Sequence, residues 1–126
     1  MNRLWFGVGL LVLLLALSLW VTTAMLCVHK PIAESLEQAS RQALSGDFPG
    51  GVATAQQAQR SWERHKHATA SVADHAPMDE IDGLFAELEV YAQSQEAEHF
   101  AAGCAQLAKL LYAMGEAHGL GWWNFL

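Results

Sequence analysis

The pattern of apolar and polar positions divides the chain at one place. From Leu4 to Val28 no charged side chain occurs. As a helix at ~1.5 Å per residue this stretch is roughly 37 Å long, against a hydrocarbon core of about 30 Å. It reads as a transmembrane anchor. A secretory signal would have an apolar core of about 7–15 residues before a small-x-small cleavage site. Thr22-Thr23-Ala24 comes close to such a site, but the apolar run continues past it. Leu26 before Cys27 does not fit lipoprotein processing. Residues 1–3 are a short tail, 4–28 the anchor and 29–126 one small domain. A short N-terminal tail before a first membrane helix places the tail inside and the domain outside the cytoplasm, although Arg3 and Lys30 nearly balance each other.

Beyond the anchor the period changes to that of amphipathic helices. Ile32, Leu36, Ala39 and Ala43 recur at steps of four, three and four, after Pro31 has closed the membrane run or opened the next helix. Asp47-Phe48-Pro49-Gly50-Gly51 reads as a turn. A second helix is predicted over 52–76, with the stripe Ala55, Ala58, Trp62, His65, Thr69, Val72 and Ala76. Ala76-Pro77 breaks it. A third helix follows with Ile81, Leu84, Phe85, Leu88, Tyr91 and Ala92, its first turn carrying acids that face the helix dipole. Gln93-Ser94-Gln95 is a connection. The last helix, 96–118, has three rows at seven-residue spacing: Phe100, Leu107, Met114; Gly103, Leu110, Ala117; Cys104, Leu111, His118. No strand alternation or internal repeat occurs. The fold class is all-α, an N-terminal transmembrane helix followed by an antiparallel bundle of three to four helices, with consecutive helices as neighbours.

Charge narrows the function. The chain has thirteen acids and seven bases, one of them Arg3 in the tail. An acidic domain excludes nucleic acid as a partner and argues against an anionic lipid surface docking on the domain itself. Arg60, Arg64, Lys66, His65 and His67 make helix two the basic part. Asp74 to Glu98 holds eight acids and no Lys or Arg, so helices two and three are expected to pair. Two cysteines are too few for a disulfide scaffold, and Cys104 reads as a small buried apolar residue.

Candidate chemistry is sparse. Glu96-x-x-His99 has the spacing of di-iron carboxylate bundles, but Glu63 is followed at that spacing by Lys66, so the second half is missing. His65-Lys66-His67 directs its two imidazoles to different sides of a helix. His75 with Asp79 and Asp82 flanks an inter-helix turn. The ordinary reading is that His75 ends helix two and hydrogen-bonds the carboxylates of helix three; the alternative is a metal- or pH-responsive site. No nucleophile motif, Gly-rich phosphate loop or Cys-x-x-Cys occurs. No catalytic residue, metal ligand or cofactor site is assigned, and the expectation is a protein that is not an enzyme. The tail Trp122-Trp123-Asn124-Phe125-Leu126 either packs on the bundle or sits in the membrane interface.

The layout resembles the bacterial family known as domain of unknown function 4363. The resemblance runs almost end to end. It rests on the apolar anchor, Trp62, His75, Asp79 and Asp82, and Asn124 before Phe125-Leu126; Trp122-Trp123 and Ala73-Asp74 depart from it. It implies an architecture and no activity. The expected function is that of a non-enzymatic accessory or interaction protein of the bacterial cell envelope. Its partners would be the lipid bilayer through 4–28 and another membrane or envelope protein. The oligomeric state is left open by the sequence.

Overall fold

The structure, a computed structural model, describes residues 2–70 and 75–120. Among them are four helices: α1 (Asn2–Leu44), α2 (Phe48–Ala70), α3 (His75–Gln93) and α4 (Ala97–Leu120). The all-α expectation holds. One division does not. The apolar segment and the first bundle helix are a single helix of 43 residues with Pro31 inside it. Proline removes one i→i−4 hydrogen bond, here the one to the Cys27 carbonyl, and crowds that turn. Burial on either side compensates. His29 is buried before the proline, and Ile32, Ala33 and Leu36 are buried after it.

Residues 2–20 are exposed throughout, and the span Asn2–Val21 is apolar and long enough to cross a membrane. None of its most apolar window is buried inside the protein. The core begins at His29, where α1 enters the bundle.

The loop from α1 to α2 is shorter than the sequence suggests. The Asp47 N–H reaches the Gln42 carbonyl at 2.9 Å, and Gly46, at φ 93°, takes the left-handed position that ends such a helix. Asp47 then caps α2 by accepting from the Gly50 N–H at 3.1 Å. Phe48-Pro49-Gly50-Gly51 is therefore the first turn of α2, where a proline costs no hydrogen bond. Gly51 lies against α1, where an added Cβ would come within 2.8 Å of the Ala39 carbonyl oxygen. That close approach lets the small residues Ala39, Ala43 and Ala55 pack, so α2 needs few bulky side chains there.

α1 packs most extensively on α4 and next on α2, α3 packs on α4, and α2 meets α3 over a short stretch. The core is built from Ile32, Leu36, Trp62, Ile81, Phe85, Leu88, Phe100, Leu107 and Leu111 around smaller residues. Ser40 donates to the Ala101 carbonyl at 2.8 Å and fixes the register of α4 against α1. Phe48 meets Phe100 edge to face, centroids 5.4 Å apart, and closes the end of the bundle far from the apolar span.

Three further expectations are corrected. α2 ends at Ala70, and Ala76 belongs to α3. α3 starts at His75, so Pro77 lies in its first turn and Asp79, Glu80 and Asp82 lie beyond it, where the helix dipole acts on them weakly. His65 is exposed, so the helix-two stripe is interrupted there, and Trp62 is its last buried member among the described residues. Thr69 and Val72 lie outside the described side chains.

Candidate functional site

Two features stand out from the bundle: a polar node at Trp62 and a cleft between α2 and α3. The node forms where the chain packs its largest side chain. Trp62 is 1% exposed. An indole that deep in a core needs a partner for its N–H, and Nε1 donates to Asp82 Oδ1 at 2.8 Å. The other carboxylate oxygen, Oδ2, faces Lys66 Nζ at 3.5 Å. On the opposite side the buried imidazole of His29 lies 6.0 Å from the indole, centroid to centroid, tilted by 55°. The node ties α1, α2 and α3 together at the end of the bundle nearest the apolar span.

This arrangement bears on the His75, Asp79 and Asp82 candidates. His75 begins α3 instead of ending α2, and its side chain lies outside the described residues. Asp79 is exposed, while Asp82 is occupied by Trp62 and Lys66. Among the described residues no group of three or more His, Cys, Asp or Glu converges on a common point. Glu96 and His99 approach at 3.8 Å on an exposed surface, where the imidazole stacks on Tyr91 at 5.5 Å. That pair lies at the start of α4 and, among the described residues, faces no second carboxylate–histidine pair. Asn124, Trp122 and Trp123 lie outside the described residues.

Above the node α2 and α3 splay. The expected charge pairing between them is reduced, among the described residues, to Lys66 with Asp82. The splay leaves a cleft of about 320 Å³. Val52, Ala55, Phe85, Leu88 and Phe100 form its floor, and Gln56, Gln59, Glu89 and Gln93 its rim. An apolar floor with a polar rim is the usual form of a binding cleft. The outer face of α3 beside it exposes Asp79, Glu80, Glu87 and Glu89.

Cys104 is buried, and burial pushes its thiol up to about 12, so it stays protonated and unreactive at neutral pH. The Tyr112 phenol is also raised, by desolvation first and then by the Glu37 and Glu34 carboxylates, the former of which accepts its hydrogen bond. Neither group opens onto the cleft.

A family model described as a domain of unknown function, DUF4363, matches residues 19–124. The chain belongs to the DUF4363 family. The match takes in the whole bundle and the end of the apolar span. No curated protein and no solved structure matches the chain. In this DUF4363 chain, two of the positions that carry the resemblance, Trp62 and Asp82, form one hydrogen bond across α2 and α3. The buried His29, by contrast, is not among the residues the sequence singles out. Stepping the stripe Ile32, Leu36, Ala39, Ala43 back by three residues reaches it, but assigning 4–28 to the membrane and Pro31 to a break hides that continuation.

Proposed function

We propose that the chain is a membrane-anchored, non-enzymatic interaction protein of the cell envelope. Its apolar span holds it in the bilayer, with the bundle outside the cytoplasm. The α2–α3 cleft receives an amphipathic helix of another envelope protein. The observation that carries this reading is the open, apolar-floored cleft between α2 and α3, which among the described residues meet only over a short stretch. Helix-in-groove docking uses such a floor for apolar anchors and a polar rim for orientation. Glu89 on the rim and the exposed acids of α3, with no Lys or Arg from Asp74 to Glu98, favour a partner helix with a basic flank. The metal-responsive alternative at His75, Asp79 and Asp82 has less support, since Asp82 already serves Trp62 and Lys66.

A photo-reactive residue at Gln59, on the cleft rim, tests this in native membranes. It is expected to give one discrete protein adduct. The adduct is lost in Ala55→Arg, which fills the floor, and weakened by Glu89→Lys. The same residue at Lys109, on the exposed side of α4, is expected to give none. Equal labelling from both positions, or an adduct indifferent to Ala55→Arg and Glu89→Lys, contradicts the proposal.

A further inference from the structure

The domain is acidic as a whole, but its charges are segregated along α2. From Phe48 to Gln59 this helix carries no charged residue. Arg60, Glu63, Arg64 and Lys66 follow, with His65 and His67. Arg60, Arg64 and His67 recur at steps of four and three and are exposed. They form one ridge, opposite the buried Ala55, Ala58 and Trp62. Lys66 is paired with Asp82. Among the described residues neither Arg60 nor Arg64 has a carboxylate partner; the Arg64 guanidinium donates to Ser61 Oγ at 3.2 Å. Glu63 stands beside the ridge, between it and the cleft side of α2.

The register of α2 on α1 sets the height of the ridge. Gly51 lies against Ala39 and Ala43, and Trp62 lies against His29. A groove lined by Cys27, Pro31, Ser61 and His65 continues the same pairing toward the apolar span. Antiparallel α-helices rise equally per residue, so Arg60 is level with Pro31, Arg64 with Cys27 and His67 with Ala24. The span ends at Val21. At ~1.5 Å per residue, His67 stands about 4 Å beyond that end, Arg64 about 9 Å and Arg60 about 15 Å. The headgroup layer is roughly 5–8 Å deep on each side of the hydrocarbon, and the field of an anionic surface reaches about 8 Å further at physiological ionic strength. The ridge falls within that depth.

We propose that Arg60 and Arg64, with His67 at their foot, form a docking surface for anionic lipid headgroups of the leaflet in which the span ends. Guanidinium groups bind phosphate through paired N–H donors, and each cation near an anionic leaflet adds to the attraction. The proposal rests on the membrane reading of the span. Exposed Asp79, Glu80, Glu87 and Glu89 give α3 the opposite sign, so the surface that draws α2 repels α3. A single membrane helix tilts readily, and the bundle is continuous with the span through α1. On an anionic membrane the bundle leans toward α2 and turns α3 to the solvent. The net charge of the domain conceals this, because it sums two sides that meet the bilayer differently.

The test uses the full chain with Cys27→Ser, reconstituted in discs of phosphatidylcholine or of an equal mixture of phosphatidylcholine and phosphatidylglycerol. A donor fluorophore is placed on Gln57→Cys, on the ridge above Arg60, or on Val90→Cys, on the exposed side of α3. Energy transfer to acceptor-labelled headgroups reports the height of each. A third probe, on Leu13→Cys, is quenched by acyl-chain nitroxide lipid if the span is in the bilayer. Phosphatidylglycerol is expected to raise transfer from 57 by about 1.5-fold or more, and to leave transfer from 90 unchanged or lower. The increase is expected to vanish in Arg60→Gln with Arg64→Gln, and in high salt, which shortens the reach of the field. If 13 is quenched while transfer from 57 ignores phosphatidylglycerol, rises equally with that from 90, or keeps its increase in the double variant, the docking surface is overturned and the anchor stands. If 13 is not quenched, both fall.

Discussion

The indole of Trp62 donates to the Asp82 carboxylate at 2.8 Å, joining the most buried aromatic side chain of α2 to the second turn of α3. Among the described residues the two helices otherwise touch little, so this bond holds the lower end of the bundle closed while the upper end splays into the cleft. Asp82→Ala leaves a buried N–H without an acceptor. It is expected to lower unfolding free energy by about 1.5–3 kcal/mol, the range for a hydrogen bond to a charged group. Asp82→Asn retains an acceptor and should cost less. In a double-mutant cycle with Trp62→Phe, urea unfolding of the full chain in micelles should give a coupling of about 1 kcal/mol or more. Additive effects would mean that the bond contributes nothing beyond packing.

Much of this architecture is legible in the sequence, and the reasons for the rest are physical. The α4 rows Phe100, Leu107, Met114 and Cys104, Leu111 are buried as their spacing indicates. A third row, Ala101, Ala108 and Gly115, is buried as well. Small residues carry little hydropathy signal, yet they let α4 approach α1 closely, which is the largest interface in the bundle. Pro31 misleads because helix propensity is local, whereas the burial of His29, Ile32 and Leu36 that overrides it is tertiary. The cleft has no sequence signature. Complementary charge on α2 and α3 suggests a closed pair, but exposed ion pairs contribute only about 0–1 kcal/mol each and do not hold two helices together.

Pro31 gives a direct test of the continuous helix. It is exposed, and it removes the N–H that would bond the Cys27 carbonyl. Pro31→Ala should therefore stabilise the chain, by about 1–3 kcal/mol. A loss of stability in micelles would mean that α1 is interrupted there and that the proline is needed to shape the break.

Gln95 adopts φ 57° at the end of α3, where the Glu96 N–H reaches the Tyr91 carbonyl at 3.0 Å. This is the position that glycine favours. A side chain there costs about 1 kcal/mol, so Gln95→Gly should raise the thermal midpoint by a few degrees. An unchanged or lower midpoint contradicts that geometry.

Burial at Cys104 makes stability depend on alkaline pH. Its thiol titrates near 9.0 when exposed and about 12 in the fold. The folded state therefore holds the proton more tightly. Stability is intact below pH 9.0 and falls as pH rises from there toward about 12. The raised Tyr112 phenol acts in the same direction. Unfolding at several pH values should show this decline, with a shallower slope in Cys104→Ala. At pH 7 a maleimide should label the exposed Cys27 and leave Cys104 unmodified until the protein is denatured.

The account depends most on α1 being one helix that remains in the membrane and continues into the bundle. The most direct measurement is the intact mass of the protein recovered from urea-washed membranes. The account predicts that the chain stays with the membranes and that its mass includes residues 2–21. Recovery in the wash, or a mass lacking those residues, would show that the apolar segment is a removed signal, and would contradict it.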